Sequence, residues 1–250
     1  MQRYFIDSNL INLKTKTITI TGDDHHHIKN VMRMHPGEKV ICATNDRHTY
    51  LCVIDSISSC TNLSIISESI NENELDSFIS FAQGIVKKSK CDEVLRRLVE
   101  LGASEYFNVN MDYSVVKSSD DNKNYLERRK QIVKEASEQS ERGKLLNVKE
   151  TLSFKDFLNY SCDFDIKICA YENSGRDNDK SLISLKDNLV NKKIICLIGP
   201  EGGISEKEIK LLKDNGFLCV GLGKRILRTE TSPLYLMSVL GFMIDNDKNN

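Results

Sequence analysis

The stretch from Ile194 to Met243 constrains the fold most, because it contains two apolar runs that are each followed at once by a glycine-rich break. Ile194–Ile198 is a short apolar run of the kind that forms a strand buried on both faces. Phe217–Val220 is a second run of this kind. If both strands belong to one open α/β sheet, their breaks leave the sheet at the same end, where such sheets bind small ligands.

The first break, Gly199–Gly203, leads into the sequence of a helix start. Ser205 and Glu208 have the spacing of a capping box, in which each side chain accepts a hydrogen bond from the backbone N–H of the other residue. The pattern predicts a helix from Glu206 to about Asn215, with Gly216 as its end.

The second break, Gly221–Gly223, is followed by the polar segment Lys224–Thr231 and then by Ser232 and Pro233, which predict the cap and first position of a final helix. A single glycine-rich loop is usually only a turn between a strand and a helix. Two such loops at one sheet edge, the second followed by Arg, Thr and Glu, favour a binding pocket. Neither the dinucleotide fingerprint nor the phosphate-binding loop of ATPases is present, so the sequence supports neither a nicotinamide cofactor nor ATP hydrolysis.

The charge balance, with 35 basic and 36 acidic residues, gives no overall signature of nucleic-acid binding, so any RNA contact must rest on local patches. The eight cysteines include no C-x-x-C pair, which favours buried reduced thiols over disulfides or zinc. No apolar run is long enough to span a membrane, and we expect a cytoplasmic protein.

Short runs divide the first part of the chain into strand candidates at residues 3–6, 17–20, 39–43, 49–57 and 62–67, with one helix from Asp23 or Asp24 to about Met34. Several short strands and one helix predict a small β-barrel. The polar stretch Asn71–Glu74 marks a domain boundary, so that residues 1–72 form the first domain and residues 73–250 the second.

The second domain alternates between strand and helix patterns. Its predicted strands are residues 78–83, 105–109 and 165–170, and its predicted helices are residues 92–101, 124–142 and 181–189. This alternation indicates an α/β fold with a parallel sheet that is covered on both faces.

All five histidines, His25, His26, His27, His35 and His48, lie in the first domain. Neighbouring side chains on a helix point about 100° apart, so the three adjacent histidines cannot converge on one metal ion, and we expect no metal. The helical spacing i, i+3, i+4 and i+7 places four polar side chains on one face, either as a solvated surface or as an RNA contact: His26, Lys29, Asn30 and Arg33.

A second basic cluster surrounds the start of the first helix of the second domain. It contains Lys87, Lys88 and Lys90, together with Arg96 and Arg97. Such a cluster is usually only a solvated face. Alternatively, it holds RNA phosphates, which dominate the affinity of RNA-binding proteins.

Two motifs of the C-terminal stretch, LIGPEGGISEKEI and LGKRILRTET, resemble the C-terminal signature of the knotted (SPOUT-class) RNA methyltransferases, and most of all the ribosomal RNA small subunit methyltransferase E family. The segments MQRYF, HHHIKNVMRMHPGE, QGIVKKSKCDEVLRRLVELGASE and EASEQSER extend the resemblance over nearly the whole chain. It implies a PUA-like β-barrel that binds RNA and a SPOUT α/β domain that ends in a trefoil knot. It also implies a homodimer that uses S-adenosylmethionine, and no metal, to methylate N3 of one uridine in the 16S rRNA of the small ribosomal subunit.

The resemblance also implies which residues form the site. The cofactor-binding residues are Leu197, Gly199, Pro200, Gly202, Leu222, Gly223, Ile226, Leu227, Arg228 and Thr229. Arg228 is expected to stabilise the negative charge on the uridine once N3 has lost its proton. Glu201 or Glu230 accepts that proton or fixes the arginine. Alternatively, Glu230 only caps the last helix.

The expected RNA-binding residues are Arg3, His26, Lys29, Arg33, Lys87, Lys88, Glu138 and Arg142. Glu138 and Arg142 match the E-Q-x-x-R pattern of the family, although an i,i+4 surface ion pair explains the same spacing. The chain departs from the family at Glu141, where a small residue is usual, and at Asn147–Glu150, which lacks the usual Pro.

Two other functions remain open at this point. One is a related methyltransferase with another RNA target, and the other is a non-catalytic RNA-binding assembly factor. The two intact glycine-rich loops argue against a factor that only binds RNA, since such a protein need not retain both.

Overall fold

The computed structural model describes residues 1–114, 123–171 and 182–247, without the side chains of Lys88, Lys123, Ser184 and Asp187. The chain divides into two compact units. The first contains Met1–Glu74 and Ser137–Leu145, and the second contains Leu75–Ala136 and Leu146–Asn250. Residues 137–145 therefore belong to the first unit, although they lie far beyond residue 72 in the sequence.

The first unit contains a mixed six-stranded sheet in the order β1-β4-β5-β6-β3-β2. The strands are β1 (Gln2–Phe5), β2 (Ile11–Asn12), β3 (Thr17–Ile20), β4 (Lys39–Ala43), β5 (His48–Ile57) and β6 (Thr61–Ile70). β1 pairs with β4 in parallel and the other neighbours are antiparallel. The five predicted strands are confirmed, and their alternate apolar side chains form one core with Tyr4, Ile18 and Leu63 fully buried.

The predicted helix of this unit is shorter than expected. Helix α1 (Gly22–His26) passes at once into a π-helical turn, His27–Val31, in which the N–H of Met32 donates to the carbonyl of His27 at 2.8 Å. Arg33 then has a φ of 52°, which is incompatible with a continuing helix. The expected continuous helix to Met34 is wrong, and α-helical spacing no longer places Arg33 on one face with His26.

The second unit is built on a parallel sheet in the order β10-β8-β7-β12-β11-β13, with β9 paired to β8. Its strands are β7 (Phe78–Gly84), β8 (Glu105–Asn110), β9 (Asn147–Val148), β10 (Leu152–Ser153), β11 (Ile166–Ala170), β12 (Lys193–Ile198) and β13 (Leu218–Val220). The predicted α/β class and parallel sheet are confirmed. The ends of four strands are in register: Ile198 pairs with Gln83 and with Ala170, and Ala170 pairs with Val220. The segments after β12 and β13 therefore leave the sheet at the same edge.

Helices pack on the sheet of the second unit: α2 (Lys88–Glu100), α3 (Lys123–Gln139), α4 (Phe154–Tyr160), α5 (Glu206–Asp214) and α6 (Ser232–Asp247). Phe157 of α4 and Leu212 of α5 share a core cluster with Phe107 and Leu197. α2 packs against α6, where Leu98 and Leu240 are fully buried. No helix among the described residues is both long and apolar enough to cross a lipid bilayer.

Several helix boundaries differ from the sequence-based expectations. α2 begins at Lys88, four residues before the predicted start, and α3 ends at Gln139, so that Arg142 lies beyond the helix. The region predicted as a helix from Ser181 to Leu189 contains a 3₁₀ helix at Ile183–Asn188, and Ser181 lies outside the described residues. α4 was not predicted, although the hydroxyl of Ser153 caps it by accepting from the N–H of Asp156.

Candidate active site

A cavity of about 680 Å³ opens at the carboxyl edge of the parallel sheet. The two glycine-rich loops form most of its wall, together with the ends of β11 and β12 and with Lys90 from α2. Its lining includes Gly199, Pro200, Glu201, Gly202, Leu222, Gly223, Ile226, Leu227, Arg228, Thr229 and Glu230. The pocket predicted at this sheet edge is therefore present in the structure.

The first loop is shaped by close contacts that only glycine allows. A Cβ at Gly202 would lie 2.8 Å from the Cβ of Tyr113 and 3.0 Å from its carbonyl oxygen. The sequence-based reason for glycine at this position was the approach of a ligand. The structure adds a different reason, because the Cβ and the carbonyl oxygen of Tyr113 already occupy the space that a side chain would need.

The capping box at the start of α5 is confirmed and is tied to a second segment. The N–H of Glu208 donates to the hydroxyl of Ser205 at 3.2 Å, and the N–H of Ser205 donates to the Glu208 carboxylate at 3.0 Å. The Ser205 hydroxyl donates to Asp112 at 2.7 Å, and the N–H of Asp112 donates to Glu208 at 2.9 Å. Asp112 thereby holds the end of the first loop beside the segment that carries Tyr113.

The second loop is anchored at Thr229, which is largely buried. Its hydroxyl donates to the carbonyl of Gly199 at 2.8 Å, so the two loops are bonded directly to each other. Ser232 was expected to cap α6, but it is the first residue of that helix. Its hydroxyl donates to the carbonyl of Arg228 at 3.0 Å, which closes the turn before the helix instead.

Charged side chains surround the mouth of the cavity. The Nζ atom of Lys90 lies 3.3 Å from Oε1 of Glu201 and 3.3 Å from Oε2 of Glu230. Nη1 of Arg228 lies 4.0 Å from Oε1 of Glu230, and the Arg228 side chain is 85% exposed. A positive charge thus sits between two carboxylates, and a second positive charge extends into solvent.

These ion pairs change the proton affinities of the groups. The hydrogen bond to Glu230 raises the pKa of Lys90, and Glu201 adds to this effect. Desolvation alone would raise the pKa of Glu230, but its own backbone N–H, Lys90 and Arg228 together lower it. Lys90 therefore remains an ammonium, and Glu230 remains a carboxylate, near neutral pH.

Most of the expected cofactor-binding residues line this cavity. Leu197 differs, because its side chain is fully buried in the core beneath the loops. Lys90 and Tyr171 line the cavity but were not among the expected site residues. Lys90 was visible in the sequence only as one member of a basic cluster, and nothing in its local sequence pointed to Glu201 or Glu230.

Three of the expected RNA-binding residues have their side chains engaged within the first unit. Arg142 is 3% exposed, and its guanidinium donates two hydrogen bonds of 2.8 Å to the carboxylate of Glu74. Arg3 is also buried and donates to the carbonyl of Arg142 at 3.1 Å, and burial lowers its pKa. The carboxylate of Glu138 accepts from the N–H of Phe5 at 2.8 Å. These contacts stabilise the first unit and tie residues 137–145 to it.

The other expected RNA-binding residues are more accessible. His26, Lys29 and Arg33 are exposed, although the ammonium of Lys29 donates to the carbonyl of Ser58 at 2.8 Å. Lys87 is exposed just before α2, whereas the side chain of Lys88 lies outside the described part of the chain.

Two of the three adjacent histidines have separate partners. Nδ1 of His25 lies 2.8 Å from the hydroxyl of Thr61, and Nδ1 of His27 lies 3.0 Å from the hydroxyl of Tyr4. Within residues 1–114, 123–171 and 182–247, no three His, Cys, Asp or Glu side chains are grouped as a metal site would require.

Comparison with known proteins identifies the family. Residues 73–241 match the RNA methyltransferase domain, and residues 20–59 match the RNA methyltransferase PUA domain. Ribosomal RNA small subunit methyltransferase E of Bacillus subtilis (strain 168) is 36% identical over 98% of both chains. The crystal structure of the Neisseria gonorrhoeae enzyme of the same name, bound to S-adenosyl methionine, superposes with a TM-score of 0.82 at 26% identity, over 97% of both chains. This chain belongs to the ribosomal RNA small subunit methyltransferase E family.

Proposed function

We propose that this protein transfers a methyl group from S-adenosylmethionine to N3 of one uridine in 16S rRNA. The observation that carries the proposal is the cavity between the two glycine-rich loops, with Arg228 and the group of Lys90, Glu201 and Glu230 at its mouth. The cavity is the proposed binding site of the cofactor. The charged groups are proposed to remove the N3 proton of the uridine and to stabilise the negative charge that results.

The cavity suits the cofactor in size and lining. Its volume of about 680 Å³ falls within the range of small-molecule sites. Backbone groups of Gly199, Gly202 and Leu222 border it and are suited to read the edge of an adenine ring. Apolar side chains, including Ile226, are available to pack on the faces of that ring. S-adenosylmethionine supplies its methyl group from a sulfonium and needs no metal for activation.

The charged residues have distinct proposed roles in the reaction. Arg228 stabilises the negative charge that develops on the uridine as N3 loses its proton. Glu230 lies beside two cations that lower its pKa, so we give it the role of positioning Lys90 and Arg228. Among the described residues, Lys90 is the one cation paired with Glu201, and we assign the proton acceptor to Glu201.

The first unit has the proposed role of holding the RNA around the target base. A uridine in folded RNA must leave its stack before its N3 reaches an enclosed pocket. In the first unit, the exposed side chains of His26, Lys29 and Arg33 are the proposed contacts to flanking phosphates. In the second unit, the proposed contacts are the exposed Lys87 and its sequence neighbour Lys88. Arg3, Glu138 and Arg142 are proposed to act indirectly, by maintaining the structure of the first unit.

The proposed fold is a PUA-like barrel in residues 1–72 and a SPOUT domain with a trefoil knot in residues 73–250. The path of the second loop supports the knot. β13 is the outermost strand beyond β11, yet Thr229 soon afterwards bonds to Gly199, at the end of β12, and to Gln83 of β7. The chain therefore crosses back over the sheet edge before α6 begins.

We propose a homodimer that uses α6. Tyr235 is 42% exposed and Phe242 is 69% exposed, and their spacing of two helical turns places both on one face of the helix. Met237 and Leu240 of the same helix are fully buried and contribute to the core of one chain instead.

An enzyme that modifies small-subunit rRNA works where ribosomes are assembled. We therefore propose that this activity takes place in the cytoplasm.

Tritiated S-adenosylmethionine, incubated with small ribosomal subunits that lack the modification, tests this function. The expected product after digestion is labelled 3-methyluridine. Label in a different nucleoside would favour a methyltransferase with another RNA target. Binding of cofactor without any label in RNA would favour a non-catalytic assembly factor.

A further inference from the structure

A buried amide side chain holds the second glycine-rich loop. Gln83, in β7, is 1% exposed. Its Nε2 donates to the carbonyl of Thr229 at 3.0 Å and to the hydroxyl of Thr229 at 3.2 Å. Gln83 also pairs level with Ile198, the last residue of β12 before the first loop. A single side chain in the interior of the sheet therefore contacts the second loop directly.

The chemistry of the partners fixes the direction of every hydrogen bond in this group. The Thr229 carbonyl only accepts, so the amide nitrogen of Gln83 must face it. The Gln83 oxygen then accepts from the hydroxyl of Tyr106 at 2.7 Å, and burial raises the pKa of Tyr106 so that this phenol keeps its proton. The Thr229 hydroxyl, which accepts from Gln83, donates onward to Gly199 at 2.8 Å.

We propose that Gln83 is a positioning residue for methyl transfer, which rests on the function proposed above. Thr229 lies between Arg228 and Glu230 in the sequence, so the amide that holds Thr229 sets the backbone from which both charged side chains extend. β7 is an interior strand of the sheet and provides a rigid base for this anchor. Electrostatic stabilisation depends on groups that are held in place before the reaction begins.

Two substitutions of Gln83 separate the anchor from simple packing. Gln83→Glu keeps the shape and the acceptor for Tyr106, but a carboxylate has no donor for Thr229. Gln83→Met keeps the length and removes all hydrogen bonding. Ser80→Ala is the matched control, because Ser80 is fully buried in the same strand and donates to Glu105 at 2.9 Å. It removes a buried hydrogen bond without touching either loop.

Hydrogen–deuterium exchange of the cofactor-free protein tests the anchor directly. The measured quantity is the exchange rate of the backbone N–H groups of residues 222–232. We expect faster exchange there in both Gln83 variants and not in Ser80→Ala. We expect kcat to fall about 100-fold, the loss that a displacement of about 1 Å in a catalytic group causes, with a smaller change in KM for S-adenosylmethionine. In Gln83→Glu, acidification protonates the carboxyl and restores one donor, so exchange in residues 222–232 should approach that of the unmodified protein at the same pH.

Two results would contradict the positioning role of Gln83. Unchanged exchange in residues 222–232, or faster exchange with unchanged kcat, would overturn the positioning role. Thermal unfolding verifies that each variant is folded, and Tyr106→Phe, which loses only the phenol donor, gives a milder test with the same expected direction. If the unmodified protein binds S-adenosylmethionine but methylates no RNA, the proposed function fails. In that case, faster exchange and weaker calorimetric binding in the Gln83 variants would still support the anchor.

Discussion

The ammonium of Lys90 lies 3.3 Å from the carboxylate of Glu230, and this contact joins helix α2 to the loop that carries Arg228. The same ammonium lies 3.3 Å from Glu201 in the first loop. Both loops thus meet one positive charge, and the hydrogen bond from Thr229 to Gly199 also joins them directly.

Replacing Lys90 should change both the rate and its pH dependence. In Lys90→Met, Glu230 loses the cation that helps to lower its pKa, so we expect that pKa to rise. Glu230 would then be protonated, and would release its hold on Arg228, at a higher pH than in the unmodified protein. The acid limb of the kcat profile should therefore move to higher pH, and kcat at neutral pH should fall by about tenfold or more, because the paired cation of Glu201 is also lost. Arg97→Met is a suitable control, because Arg97 is paired with Glu100 on the same helix. A profile identical to that of the unmodified protein would exclude this role for Lys90.

Replacing Arg228 should remove activity without unfolding the protein. The side chain is 85% exposed, so Arg228→Ala is expected to change the free energy of unfolding by no more than about 1 kcal/mol. Methyl transfer should be lost, because the charge that develops on the uridine would have no counter-charge. The assays are labelled methyl transfer and thermal unfolding, with the exposed Lys224 of the same loop, as Lys224→Ala, for comparison. Turnover close to normal would remove Arg228 from the mechanism.

Gly202→Val should weaken cofactor binding through Tyr113. The new side chain would overlap the Cβ of Tyr113, which lies 2.8 Å from where the valine Cβ must sit, so the first loop has to move. Isothermal calorimetry with S-adenosylmethionine should show a large loss of affinity. Adding Tyr113→Gly removes part of the overlap and should restore part of the affinity. If the second substitution restores nothing, the ligand rather than Tyr113 demands glycine at this position.

Removing Arg142 should destabilise the protein rather than act only on RNA binding. The Arg142–Glu74 pair is largely buried, and the loss of one partner leaves an uncompensated charge, at a cost of about 3–5 kcal/mol. Denaturant unfolding should show this loss in Arg142→Met and a recovery of much of it when Glu74→Met is added. Unchanged unfolding with weakened RNA binding would instead indicate a direct contact between Arg142 and RNA.

The same pair should make stability depend on pH. Desolvation by itself would raise the pKa of Glu74, but Arg142 and the N–H groups of Gly143 and Lys144 lower it. A carboxyl whose pKa is lowered by folding adds stability above its unfolded pKa, about 4.3, and loses it as the pH falls through the folded value. The difference in unfolding free energy between the unmodified protein and the double variant should therefore be constant above about pH 6 and should change below about pH 4.3. A constant difference down to pH 2 would contradict this linkage.

The sequence predicted the features that depend on neighbouring residues. The longer strands of both sheets and the Ser205–Glu208 capping box follow from local spacing, and the structure confirms them. The two-residue strands β2, β9 and β10 were not predicted, because so short a segment shows no alternation. The level ends of β12 and β13 follow from the way that parallel strands pair. The pocket at that edge was therefore predictable from two apolar runs and two glycine-rich breaks.

Contacts between residues that are distant in the sequence were not predictable in this way. Lys90 is separated from Glu230 by 140 positions, and Gln83 from Thr229 by 146 positions. No helical or strand periodicity links such pairs. The π-helical turn after His26 was also missed, because the pattern of apolar residues there suits a continuous α-helix equally well.

The anchoring of Thr229 divides the segment between β13 and α6 into two stretches with different tolerance to change in length. Residues 221–228 form an open span between a strand end and a fixed point, and a longer chain between fixed ends adds little entropic cost. Residues 229–231 connect that fixed point to the first turn of α6, where the N–H groups of Thr231 and Ser232 both donate to the carbonyl of Arg228 at 2.9 Å. Insertions that alter the outer wall of the cavity should thus be accepted before Thr229 and rejected after it.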